Sequence, residues 1–523
     1  MSNDSPSYGA SEAVLVDGLH SPLAPEVVGG LISEAPLESK PLLDRTLARA
    51  IAWTSAGKWS TQVLTWASTL VAARLLAPSD YGLMGMATMY LGLINLISEF
   101  GLGQSVITLR HLSTRQVAQI NSLAVGFGAA LFLFSATLAK FVGQFFRAPQ
   151  LPVVILVMSI GFLIAGFQVV PDALLQRELR FKRIASFDTV RALVAASTTV
   201  LLAWRGFGYW SLAFGSLSGT VVYATLTLIS CRHSFAWPNL RETRSALGFS
   251  ADILGSRVAW YSYSNSDFLV AGRLLGEASL GAYTMAWTIA STPVEKITNM
   301  VMKVTPAFFA AVQNDKEQLR RYLIVLTEGL SLLCFPACVG LAMVADQFVR
   351  AVMGPKWVPA IMPLRLLALY AALRSITTLL PVLLNAIQRS RFVMLNTFVA
   401  AVVFPASFWL VARWGTTGIS ATWIILYPCI TAPLIWKTLV ELDLSVWKYI
   451  AATMPAIRAC LVMIIVVGTI RLTVPSHWSA LIGLLVSTVG GASAYTAFIL
   501  LTQRERLHNA YALIQGDRTR TNA

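Results

Sequence analysis

Five cationic side chains stand where a lipid-facing chain should carry none. Lys58, Arg257, Lys296, Arg374 and Arg458 each fall well inside a long apolar run. A charge near the centre of a spanning helix costs roughly 3 kcal/mol on insertion scales, so five facing lipid would cost on the order of 15 kcal/mol. They must therefore face protein or water. Only two acids, Glu99 and Glu295, read as equally deep. The positive excess suits an anion such as a phosphate or pyrophosphate, gripped by guanidinium forks and ammonium point charges. Interhelical ion pairs that simply hold a bundle together are the structural alternative for each residue. Arg191, Lys303 and Arg365 lie within about two turns of a span end, where snorkelling explains them. Arg458 could instead meet lipid headgroups through a local water defect.

Polar residues recur around these charges at helical spacing. Thr54, Lys58, Thr61, Gln62 and Thr65 share one helix face, as do Arg257, Tyr261, Ser264 and Asn265. Thr288, Thr292, Glu295, Asn299 and Lys303 form a third stripe, and Thr88, Asn95 and Glu99 a fourth. Lys58 and Glu99 fall at nearly the same depth, counted from one membrane face, which suits an ion pair. Glu99 and Glu295 are also candidates for coupling to a proton or sodium, since a buried carboxyl can be brought to titrate.

The elements that must position these residues are membrane-spanning helices. With 56% hydrophobic and only 12% charged residues, the 523-residue chain is too apolar for an ordinary water-soluble protein. About fourteen apolar segments reach the roughly 20 residues needed to cross the hydrocarbon: 51–76, 82–107, 117–141, 152–174, 184–204, 207–231, 246–270, 281–308, 322–345, 361–386, 392–412, 416–436, 448–471 and 478–502. The connections on one side carry 23 Lys and Arg and those on the other carry 9. The positive-inside rule then places both termini in the cytoplasm. The net charge of +15 thus belongs to topology rather than to nucleic acid, because it is spread over small inter-span clusters.

The chain also repeats itself. Leu70–Ala87 realigns without gaps on Leu269–Ala286 at an offset of 199, with nine of eighteen positions identical, among them Arg74/Arg273 and Gly82/Gly281. Gln176-Arg-Glu-Leu-Arg-Phe181 pairs with Gln388-Arg-Ser-Arg-Phe392 in the same order. The same offset makes Lys58 and Arg257 equivalent. Two six-helix lobes entering the membrane in the same direction are related by a pseudo-twofold axis along the membrane normal, with a cavity between them. The expected organisation is an acidic cytoplasmic tail at 1–44, an N-lobe at 45–240, a C-lobe at 241–440, an additional helix pair at 441–503 and a cytoplasmic tail at 504–523. The first forty residues hold no n-region, h-region and cleavage site in sequence, so no signal peptide is expected.

Other chemistry is poorly supported. The five cysteines, Cys231, Cys334, Cys338, Cys429 and Cys460, lie in apolar segments and read as packing residues. The five histidines sit in tails or short loops without a carboxylate cluster, which argues against a metal site, a cofactor and a membrane enzyme such as a polysaccharide polymerase or glycosyltransferase. Trp53, Trp204, Trp210, Trp237, Trp357, Trp414, Trp447 and Trp478 fall near span ends and read as an interfacial aromatic belt.

Three segments carry a family resemblance: Ala73-Arg-Leu-Leu-Ala-Pro-Ser-Asp-Tyr-Gly82 after the first span, Glu99-Phe-Gly-Leu-Gly103 ending the second, and Leu175-Gln-Arg-Glu-Leu-Arg-Phe-Lys182 after the fourth. Over about residues 45–440 the chain resembles the polysaccharide transport branch of the MOP flippase superfamily, the Wzx-like exporters of O-antigen, capsule and exopolysaccharide repeat units. The resemblance implies an all-α, polytopic, MOP/MATE-like fold in the bacterial inner membrane, with spans one, two, seven and eight walling a cationic cavity. It implies an undecaprenyl-diphosphate-linked oligosaccharide as cargo, membrane lipid as surroundings, and a polysaccharide polymerase with its chain-length machinery as downstream partners. Lys58, Arg257, Arg374 and Lys296 would bind the headgroup, with Gln62, Tyr261, Asn265 and Asn299 lining the cavity. In the related lipid II flippases a groove at the two extra C-terminal helices takes the polyprenyl tail, which would fall on residues 448–502 here. A multidrug antiporter shares the architecture, but organic cations call for an acidic cavity.

Overall fold

The computed structural model describes residues 62, 64–98, 102–108, 112–178, 180–231, 234–237, 258, 260–473 and 479–502, all within the unit Thr61–Ala523. Apart from turns, these residues are helical. In lipid each backbone N–H and C=O must be satisfied inside its own segment, and a helix does that. The helices are α1 (64–75), α2 (Pro78–Ser98), α3 (Leu102–Thr108), α4 (Thr114–Phe146), α5 (Leu151–Arg177), α6 (Phe181–Trp204), α7 (Tyr209–Ser230), α8 (Ser266–Met302), α9 (Thr305–Ala311), α10 (Lys316–Phe348), α11 (Ile361–Thr377), α12 (Leu379–Ala386), α13 (Ser390–Val411), α14 (Gly415–Glu441), α15 (Val446–Thr473) and α16 (Ala480–Thr502). Among the described residues nine helical stretches are long and apolar enough to cross a membrane. The longest, Ser390–Glu441 with 52 residues, would far exceed the roughly 30 Å hydrocarbon if straight. It folds back at Gly415 (φ 69°), so that α13 and α14 pack side by side.

Local signals set the helix ends. Ser113 caps α4 in a reciprocal box with Gln116, and Asp315 caps α10 through the N–H groups of Glu317 and Gln318. Gly206 (φ 82°) and Gly354 (φ 98°) supply the left-handed turns after α6 and before α11. Beyond α14, Lys316 Nζ lies 2.8 Å from Asp443 and Arg320 lies 3.5 Å from it. The hydrogen bond and charge of Lys316 hold the Asp443 carboxyl below the ordinary aspartate range.

Three expectations need correction in detail. Spans seven and eight are not separated by a ten-residue connection: α8 runs on from the end of span seven through the expected connection into span eight and breaks only at Gly276 (φ 80°, ψ 179°), leaving arms at 266–275 and 277–302. The tenth span is two helices, α11 and α12, which meet at Thr378. Trp357 is not part of an interfacial belt. It is 0% exposed and donates its indole N–H to the Ala73 carbonyl at 2.7 Å, because it plugs the contact between the repeated halves. Trp204, Trp237, Trp414 and Trp447 are exposed, as a belt requires.

That contact is built on the repeat itself. A Cβ on Gly82 would stand 1.8 Å from the Glu277 carbonyl oxygen, and one on Gly281 would stand 1.6 Å from that of Pro78. Pro78 and Glu277 are themselves one repeat apart, so each glycine admits the equivalent carbonyl of the other helix. Such close approach is open only to residues without a side chain. One turn on, Gly85 faces the Thr284 hydroxyl in the same way. The flanking contacts are reciprocal too. Trp357 covers Ala73, while Phe146, at the end of α4, presses on Gly272, the repeat equivalent of Ala73. Lys356 Nζ adds a 2.8 Å bond to the Arg74 carbonyl. Asp80 braces the N-terminal copy by accepting the N–H groups of Ala77 and Tyr209 at 2.8 and 3.0 Å.

Gly82→Val and Gly281→Val should each lower the melting midpoint of the purified protein by about 2 °C or more, since backbone must move to relieve the clash. Gly329→Ala, where no atom lies within 4 Å of the new Cβ, should leave the midpoint within about one degree. Equal midpoints for all three variants would contradict the contact.

Candidate functional site

The face that closes one helix on the other at its start becomes polar further along. On α8, Gly281 and Thr284 touch α2, and the same face continues through Thr288, Thr292, Glu295 and Asn299 at steps of three and four. Thr288, Lys296, Asn299 and Lys303 are exposed and Glu295 is half-exposed. On α2 the face runs from Gly82 and Gly85 to Thr88 and Asn95, both exposed. Between these stretches Tyr261 donates its hydroxyl to the Met89 carbonyl at 2.9 Å, beside Gly92. The two helices are therefore sealed at the Gly82 end, and the faces that carry Thr88, Asn95, Thr288 and Asn299 further along are open and polar.

The structure places the sequence-derived site residues unevenly. Lys58, Glu99 and Arg257 lie outside the described residues. Gln62 is half-buried. Tyr261 spends its hydroxyl on α2, and Asn265 spends its amide on the Tyr261 carbonyl (3.0 Å) and the Ser264 hydroxyl (3.3 Å), next to the start of α8. Lys296 and Asn299 stand on the open cleft face. Arg374, on α11, and Glu295, on α8, come together as an ion pair at 3.7 Å, with side chains 30% and 47% exposed. That distance leaves the guanidinium fork free to take a second anion. Beside Arg374 a small pocket opens between Trp287, Ser291 and Tyr370.

Two acids were missed. Asp267 is 0% exposed and accepts from Tyr283 and Trp423. With the seventh span ended at residue 270, it reads as a loop-proximal group; the break at Gly276 puts it more than two turns from that end of the arm. The equivalence of Arg273 with Arg74, which ends the first span, is the signal that marks the true end. Asp172, on α5, accepts the Tyr223 hydroxyl at 2.6 Å and the Gln176 amide at 2.9 Å. Arg191 does not simply snorkel: it pairs with Asp188 at 3.3 Å and lies 5.4 Å from the Tyr223 ring. Among the described residues no group of three or more His, Cys, Asp or Glu is placed to hold a metal.

A separate apolar groove of about 700 Å³ runs between α10, α15 and α16. Leu333, Gly340, Val344, Met463, Leu484 and Tyr495 are among its walls, and Tyr495 fixes α16 to α10 through a 2.9 Å bond to the Leu332 carbonyl.

A family model described as polysaccharide biosynthesis protein matches residues 71–362, more than half of the 523-residue chain. The chain belongs to that family. Among relatives of this polysaccharide biosynthesis protein, the lipopolysaccharide biosynthesis protein WzxC of Escherichia coli (strain K12) is 28% identical over 313 residues, 58% of this chain and 63% of WzxC. That match spans less than two thirds of WzxC. The succinoglycan biosynthesis transport protein ExoT of Rhizobium meliloti (strain 1021) is 25% identical over 490 residues, 91% of this chain and 97% of ExoT. The lipid II flippase MurJ in an inward closed conformation superposes with a TM-score of 0.66 at 13% identity, covering 87% of this chain and 100% of MurJ. At that identity the likeness shows the fold, a multi-pass all-α membrane architecture.

The Arg374–Glu295 pair is long and partly solvated, so a double-mutant cycle with Arg374→Met and Glu295→Gln should return a coupling below about 1 kcal/mol. Melting of the four proteins reads it. A coupling of about 3 kcal/mol would mean a committed structural salt bridge.

Proposed function

We propose that this polysaccharide biosynthesis protein is a flippase that carries an undecaprenyl-diphosphate-linked oligosaccharide across the bacterial inner membrane by alternating access. The observation that carries the reading is that one repeated helix face seals the lobes at one end and presents polar and cationic groups at the other. With both termini cytoplasmic, as the basic loops require, the Gly82 end is the outer gate and the cleft opens to the cytoplasm, where a lipid-linked precursor is assembled. Lys58 and Arg257, equivalent by repeat, neutralise the diphosphate together with Arg374 and Lys296. A phosphate at Arg374 competes with Glu295, so binding the headgroup frees a carboxyl in the cleft. Glu295, with Glu99, then exchanges a proton or sodium. Rocking of the N-lobe (45–240) against the C-lobe (241–440) breaks the Gly82–Gly281 seal and releases the headgroup outward, for use by the polymerase and chain-length machinery. Cargo that bound both states equally would not drive this change.

The groove between α10, α15 and α16 suits the prenyl chain, because its walls are apolar and the tail never needs to leave a lipid-like surrounding. The helix pair at 441–503 thus adds a tail site to the two lobes. A multidrug antiporter is disfavoured by the cationic set, and the names of WzxC and ExoT point to polysaccharide assembly and transport.

Lys58→Ala and Arg257→Ala should each abolish polymer export while the protein reaches normal membrane levels; unimpaired export by the double variant would contradict the headgroup site. Gly340→Phe, whose Cβ would meet nothing nearer than Met463 at 3.9 Å and whose ring would enter the groove, should cut export at least fivefold without loss of protein. Full export by that variant would remove the groove from the pathway.

A further inference from the structure

Asp267 is a carboxyl without a counter-charge. It is fully buried, and no ion pair to it exists among the described residues. Its Oδ2 accepts the Tyr283 hydroxyl at 2.5 Å and the Trp423 indole N–H at 3.0 Å, and its Oδ1 accepts the Phe268 N–H at 2.9 Å. The indole N–H also lies 3.1 Å from the Tyr283 oxygen. Aromatic rings close the surroundings: Phe404, Phe408, Trp287 and Tyr370 lie 4.7–5.6 Å from Trp423, and Phe268 lies 5.3 Å from Tyr283. The titratable groups facing Asp267 are the hydroxyls of Tyr283 on α8 and Tyr370 on α11; the nearest cation along α11 is Arg374, one turn past Tyr370.

Every group that touches the carboxyl is a hydrogen-bond donor. A metal ion needs lone pairs, and an indole N–H and a backbone N–H offer none. A proton is the cation this pocket can take. The Tyr283 hydroxyl, the Trp423 indole and the Phe268 amide all donate to the ionised carboxylate; one proton taken up removes the charge they share and turns an acceptor oxygen into a donor, which weakens the tie to Tyr283 and needs no other reactant. Three donors converge on the carboxyl, an arrangement that favours the ionised form.

Its partners tie this proton site to the gate. Asp267 lies on the first arm of α8, Tyr283 on the second, and Trp423 on α14. The arms meet at Gly276, and Tyr283 follows Gly281, the glycine packed on Pro78, by two residues. We propose that Asp267 is a proton-binding group of the C-lobe, and that its protonation releases the second arm of α8 and opens the seal between Gly82 and Gly281. This rests on the transport reading and adds a gate-coupled proton site to the candidates Glu99 and Glu295 in the pathway.

The test labels the gate and needs no cargo. Ala73→Cys, in a chain whose five native cysteines are replaced, puts a thiol at the Trp357 contact, where an impermeant maleimide applied from outside reaches it only when the gate opens. Labelling, normalised to the denatured protein at the same pH to remove the falling thiolate fraction, should rise at least threefold as external pH falls from 7.5 to 5.5. Asp267→Asn should label at the higher level at both pH values, and Tyr283→Phe, which keeps the carboxyl, should displace the pH profile. Asp267→Asn labelling that equals the parent and keeps its pH response would overturn the proposal, as would an unchanged profile in Tyr283→Phe. Asp80, Glu277 and Lys356 are intact in both variants, so a pH response arising from the gate surface would survive and count against Asp267. Failure of the unmutated protein to move lipid-linked oligosaccharide would count against the flippase reading alone.

Discussion

Two glycines packed on each other's carbonyls decide how this molecule is arranged. Gly82 and Gly281 occupy equivalent places in the two halves, and each admits the backbone of the other half closer than any side chain would allow. Because the same contact is made twice about one local axis, the halves can meet tightly at that end and still separate as units. Trp357 on Ala73 and Phe146 on Gly272 are the outer ring of the same duplication. The glycine contacts are backbone on backbone, and the charges around them, Asp80, Glu277 and Lys356, are not fully buried, so the seal can break without stranding ions in lipid.

The polar chemistry follows from the geometry of that seal. A helix face fixed at one end by glycine must continue at 100° per residue, and on α8 it continues through Thr288, Glu295 and Asn299. The proposed gate and binding cleft thus lie along one stripe of one helix. The Arg374–Glu295 pair crosses from α11 to that stripe at a distance too long to satisfy either partner fully, which suits a site that must exchange one anion for another. Asp267 lies behind the stripe, bonded to both arms of the same helix and to α14, so the buried network and the cleft share α8 as their common element.

Much of this was legible in the sequence, and for a physical reason. Spans are long and apolar because lipid demands it, so their number and order follow from composition; the repeat and the Wzx-like segments gave the family. Contacts between distant residues were not legible. Trp357 looked interfacial because only the other half's Ala73 explains its burial. Gly276 was hidden because a one-residue break in φ leaves no trace in hydropathy, and that break decides whether Asp267 is deep or peripheral. Arg374 and Glu295 were each singled out, yet nothing in one dimension says that 79 positions apart they meet. Lys58, Glu99 and Arg257 remain sequence-derived, outside the described residues.

The central claim is that the chain itself moves a lipid-linked, diphosphate-bearing oligosaccharide between leaflets. The direct measurement is leaflet exchange in vesicles that contain only the purified protein and a fluorescent undecaprenyl-diphosphate oligosaccharide. Loss of signal to a membrane-impermeant quencher should proceed past the outer-leaflet half and stop at that half when a disulfide holds the Gly82 end shut. Exchange no faster than in protein-free vesicles, or exchange indifferent to the shut gate, would contradict it.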